Sequence, residues 1–152
     1  MNYGLSDLRS SVERAALSGP GVSAWSVGMH IHHCCLAMIG ICQSLVDSTP
    51  PPPRSQWSPI TSLVFLSGRI PRGRGKSPDV AVPRQDVSQD ELFRLLDRSE
   101  QILVEASQLD SGTWYRHFAF DVLDRDKSLK LIRIHNRHHL RIIADITAAV
   151  RQ

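Results

Sequence analysis

The stretch WSVGMHIHHCCLAMIGICQSLV, residues 25–46, decides how the rest of the chain is read. Ser26 is a favoured type of helix N-cap, and no proline interrupts the run from there to Val46. Met29, Ile31, Cys34, Cys35, Leu36, Ala37, Met38, Ile39, Ile41 and Leu45 leave almost no polar face. A helix apolar nearly all round is one buried on most sides. Yet His30, His32 and His33 lie within it, and a buried imidazole is costly unless it is partnered.

Working outward, residues 5–17 carry a weaker helical stripe of Leu5, Leu8, Val12 and Ala15/Ala16. It stops at Ser18-Gly19-Pro20-Gly21, four turn formers in a row. On the other side, residues 48–87 hold eight of the nine prolines, from Pro50 to Pro83. They enclose an apolar patch, Ile60–Leu66, and a basic run, Gly68–Lys76. This segment reads as a long crossover that packs its apolar patch on the body and leaves the basic part exposed. A third helix opens with the capping-box form Ser88-Gln89-Asp90-Glu91 and carries Leu92, Leu95, Leu96, Ile102, Leu103 and Ala106 until Asp110-Ser111-Gly112. A fourth starts near Asp124, with the stripe Leu129, Ile132, His135, His139, Ile142, Ile146 and Val150. Four helices with one long connection predict an all-α, four-helix bundle in a single domain, residues 1–152. The long crossover lets the second and third helices run parallel.

Composition limits the rest. The chain has 152 residues, 41% apolar and 22% charged, enough for a core without disulfide staples. The balance of 18 − 15 = +3 is mild, so nucleic-acid or membrane binding is not expected from net charge. No run of about 18 apolar residues predicts a membrane span. The first residues show neither a basic nor an apolar leader region, so no signal peptide is expected. Cys34, Cys35 and Cys42 are odd in number and crowded, which fits a reducing cytoplasm better than a disulfide framework.

Six of the seven histidines fall in two windows, His30–His33 and His135–His139. His135 and His139 are spaced i, i+4 on the apolar stripe, so both rings share one inward face about a turn apart. A third ligand from a facing helix would make a three-ligand site with positions left for water, the pattern of catalytic zinc. A histidine-rich surface patch is the competing reading.

Trp25-Ser26-Val27-Gly28 leading into His33, together with His135-Asn136-Arg137-His138-His139, resembles the motifs of the DinB/YfiT-like superfamily, and the resemblance covers nearly the whole chain. It implies an up-down-down-up bundle and a metal site on His33, His135 and His139, holding a divalent ion such as zinc or nickel. It implies metal-dependent chemistry on an unknown small molecule, with a water or thiol activated as in a hydrolase or thiol transferase. His30, one turn before His33, is the expected catalytic base, ligand substitute or ligand-supporting group. His32 and His138 match no ligand position. The alternative is a non-catalytic metal-binding or interaction bundle. The chain departs from the motif at Met29, where a Glu or Gln is common. A homodimer is expected, because the second helix has apolar surface to spare.

Three further groups have double readings. Asp145 and Asp121 could orient ligand imidazoles, as a carbonyl or water could. Cys34 and Cys35 read as small core residues, since neighbours on a helix point about 100° apart. His117, with Trp114 and Tyr115, either lines the site or packs the connection. The basic run Arg69–Lys76 reads as solvated.

Overall fold

The computed structural model describes residues 3–48, 54, 59–72 and 78–151. The chain is mostly helical, as the periodicity predicts. Helix α1, Leu5–Ser10, precedes a 3-10 turn at Val12–Arg14. Helix α2 is Val27–Val46, α3 is Pro59–Ser67 and α4 is Gln89–Gln108. A two-stranded antiparallel hairpin, β1 Trp114–His117 and β2 Asp121–Asp124, leads into α5, Arg125–Val150.

Capping explains where the long helices begin. Ser26, Ser88 and Asp124 each accept a hydrogen bond from the backbone N–H three residues on, at Met29, Glu91 and Lys127. At α2 the box is one-sided, because Met29 cannot reach back.

Helix α2 is the central element, packed on α4 and α5. Twelve of its twenty residues are buried, among them Ile31, Cys34, Cys35, Met38, Cys42 and Leu45. Facing them are Leu92, Leu96, Ile102 and Leu103 from α4 and Ile132, Ile142 and Ile146 from α5. By length and composition α2 would suffice to cross a bilayer, but its buried residues belong to this shared core. The start of α2 is also tied to the N-terminal segment. Val27 and Gly28 donate to the carbonyls of Leu17 and Ala15. A Cβ on Gly28 would come within 3.1 Å of that Ala15 oxygen, a tight contact that favours glycine there.

The structure corrects the sequence reading in three places. The expected first helix, 5–17, breaks after Ser10. Ser10 and Ser11 hydroxyls both donate to the Asp7 carbonyl, drawing the backbone out of the α-helical ladder. The crossover contains α3, and only half of its apolar patch is packed. Thr61, Val64 and Phe65 are buried, whereas Ile60, Leu63 and Leu66 are exposed. Arg69 and Arg72 are exposed as expected, and Gly73–Lys76 lie outside the described residues. The hairpin was not expected. Its three-residue loop, residues 118–120, ends at Asp121 with φ 56°, a left-handed conformation that Asp tolerates better than most residues.

Candidate metal centre

One ligating atom from each of His33, His135 and His139 lies within 4.8 Å of the others. His33 comes from α2 and the other two from α5, one turn apart. His33 and His139 are buried and His135 is half-buried. The paired spacing on α5 and the facing histidine on α2 are therefore brought together as predicted.

A hydrogen bond fixes how His33 presents itself, and another orients the His139 ring. His33 Nδ1 lies 2.6 Å from the Ala81 carbonyl. A carbonyl only accepts, so Nδ1 carries the proton and Nε2 of the neutral ring has a free lone pair. That Nε2 is 3.0 Å from His135 Nε2. Two nitrogens bound to one ion at about 2.1 Å sit roughly 3.0–3.4 Å apart, so this spacing suits shared ligation. His139 Nδ1 is 2.9 Å from His30 Nδ1, which leaves Nε2 of His139 for a ligand role. His30 Nε2 in turn reaches Ser23 Oγ at 3.0 Å, and that hydroxyl also accepts from the Trp25 N–H. One proton arrangement satisfies the whole chain: His139 Nδ1–H donates to His30, and His30 Nε2–H donates to Ser23. Ligating histidines are regularly held this way through their second nitrogen.

The site favours neutral rings. Burial pulls His30 down to about 4 and His135 to about 3, with the other histidines adding repulsion. Burial also lowers His33, against the raising effect of its bond to Ala81. His139 is lowered furthest, by burial first and then by His135, His33 and His30. A metal needs neutral imidazole, and this environment supplies it before any ion arrives.

Trp25 covers the cluster. Its ring centroid is 5.1 Å from that of His33, 5.3 Å from His30 and 6.2 Å from His139, nearly parallel to the last. Two clefts of about 360 and 410 Å³ lie elsewhere: one is lined by Asp7, Arg14, Thr147 and Arg151, the other by Ser44, Asp47, Trp114 and Arg116.

Other candidates separate from the centre. Asp145 pairs with Arg72 at 2.7 Å and Asp121 with Arg116 at 2.6 Å. The partners that His33 and His139 show are the Ala81 carbonyl and His30. His138 is turned to the backbone of Ile70, and His32 Nδ1 accepts from the Arg84 N–H at 3.3 Å. All three cysteines are free and buried, and burial pushes Cys35 and Cys42 up to about 12, which leaves them inert. His117 packs in the hairpin, stacked on Phe118 and Phe120 at 4.4 and 4.8 Å. Ser23, Trp25 and Ala81 were missed as site residues. Ser23, seven positions before His30, is one turn-region serine among several, and Ala81 contributes only a backbone carbonyl, which leaves no trace in a sequence.

Comparison with protein-family models, with curated proteins and with solved structures gives no match for this chain. The donor set itself therefore carries the functional reading. Three convergent imidazoles, one of them held in the ligating tautomer by the Ala81 carbonyl and a second able to take it against His30, can hold a metal ion.

Proposed function

We propose that the chain is a metal-dependent enzyme of the DinB/YfiT-like kind, an up-down-down-up four-helix bundle working as a cytoplasmic homodimer on a small molecule. The observation that carries this reading is the convergence of His33, His135 and His139. Zinc or nickel suits such an all-imidazole donor set. A divalent cation there supplies Lewis-acid chemistry, bringing the pKa of a water or thiol beside it towards neutrality.

The remaining roles belong to the chain's own side chains. His33 is aimed by Ala81 and His139 by His30. His30 is 2% exposed and has both ring nitrogens engaged, which favours its support of His139 over the role of catalytic base. Trp25 shields one side of the cluster from water. Three protein ligands leave positions for a substrate group, which supports hydrolase or thiol-transferase chemistry. The low exposure of His33 and His139, 5% and 7%, supports a second reading as a non-catalytic metal-binding bundle.

Elemental analysis of untagged protein tests the metal, and a screen of thiol-transfer and hydrolytic substrates tests the enzyme. One equivalent of metal, with turnover lost in His135→Ala, is the expected result. A metal-free protein that takes up none on titration would overturn the proposal. A loaded protein inert throughout the screen supports the second reading.

A further inference from the structure

Net charge hides how the cations are placed. Lys130, Arg133, Arg137 and Arg141 recur on α5 at spacings of three and four, on the side turned away from His139. All four are exposed, and none joins an ion pair among the described residues. The acids on this side, Asp126 and Asp145, are already held by Arg125 and Arg72. The stripe thus keeps four uncompensated positive charges over about three turns.

Helix α3 borders this stripe. Lys130 Nζ stands 5.9 Å from the centre of the Phe65 ring, and a Cβ on Gly68 would lie 3.7 Å from the Arg137 guanidinium. On its outer side α3 presents Ile60, Leu63 and Leu66, spaced i, i+3, i+6 and 54%, 60% and 88% exposed. Contiguous exposed aliphatics beside free cations are two halves of one recognition chemistry. The cations attract lipid phosphates and the aliphatics enter the headgroup–acyl boundary.

We infer that α3 and the outer face of α5 form a docking surface for an anionic lipid bilayer, on the side of α5 opposite the histidines. A nucleic acid would share the cations, but a single strand binds through aromatic platforms for its bases and a duplex through its phosphates alone, and neither would cover an aliphatic ridge. A second copy of the chain would bring the same four cations to the same face, a repulsive pairing.

Flotation of the full chain with vesicles tests this, comparing phosphatidylcholine alone with an equal mixture of phosphatidylcholine and phosphatidylserine. Binding to the mixed vesicles only, weakened by raised salt, is expected. Arg137→Glu with Arg141→Glu should weaken it at least roughly thirtyfold, from the loss of about 1 kcal/mol per cation. Leu63→Ser with Leu66→Ser should leave salt-sensitive attraction but abolish retention at high salt. These positions are exposed, so circular dichroism should be unchanged. Failure of the wild-type chain to float with mixed vesicles at low salt overturns the inference, as does oligonucleotide binding without vesicle binding. So does sedimentation showing that the Leu63→Ser, Leu66→Ser variant loses a dimer present in the wild type.

Discussion

The wall between α2 and α5 buries His30, His33 and His139 and half-buries His135, whereas α3 leaves three large aliphatic side chains in solvent. The two regions depart from inside–outside partitioning in opposite directions, and they bear the departure differently. In the wall, His30, His33 and His139 each have a named partner for at least one ring nitrogen. On α3, Ile60, Leu63 and Leu66 have no covering surface among the described residues. A buried polar group costs free energy until it is satisfied, so the fold must supply its partners. An exposed aliphatic costs little in the folded chain, and its partner can lie outside the molecule.

The sharpest way to break this comparison is to remove a ligand. His135→Ala or His139→Ala should abolish stoichiometric metal binding, while His138→Ala should retain it, as read by elemental analysis. Equal metal content in all three would mean that the wall is not a ligand set. Next comes packing. Leu45→Ala, at a fully buried position in α2, should cost about 2–5 kcal/mol in denaturant unfolding. Leu66→Ser on α3 should stay within about 0.5 kcal/mol of wild type in the same assay.

Acid should separate the regions too. In the folded metal-free chain His30 lies at about 4 and His135 at about 3, both below the unfolded value of about 6.5. Between those values the unfolded chain binds more protons, so stability rises with pH. The contribution is complete above about pH 6.5 and is lost as pH falls towards 4 and then 3. The melting temperature of chelated protein should therefore drop between pH 8 and pH 5. The gap between loaded and chelated protein should be large at pH 8 and shrink near pH 5, because protons compete with the metal. A gap absent at pH 8, in protein known to carry metal, counts against a three-histidine site.

The smallest effect on the wall should come from its supports. Ser23→Ala or His30→Gln should weaken metal affinity by roughly 10–100-fold without changing stoichiometry, as measured by competition with a chelator. No change in affinity would show that the Ser23–His30–His139 chain does not hold the ligand.

These regions also differ in how far they could be read from the residues. The i, i+4 pair on α5 and the all-apolar α2 are periodic signals spread over many positions, and the caps Ser26, Ser88 and Asp124 mark their starts. Those features locate both walls and the His135/His139 pair, whereas the resemblance alone singles out His33 from His30, His32 and His33. Helix α3 has only nine residues beginning at a proline, too short for periodicity to stand out. The hairpin has four-residue strands and lacks an Asn-Gly turn. Whether Ile60–Leu66 is covered depends on how the segment lies across α5, which no local pattern encodes.

His33 and His135 stand 102 positions apart in the chain. A cation shared between them is therefore a cross-link, and it closes a loop of about a hundred residues. Closing a loop of that size removes about 4–5 kcal/mol of chain entropy from the unfolded ensemble in the simplest polymer account. The ligands can meet only after α2 and α5 have docked, so the clasp forms late and must open before the ends of the loop can separate. With a cation bound there, unfolding would have to wait for its release, so the loaded protein should unfold more slowly than the chelated one.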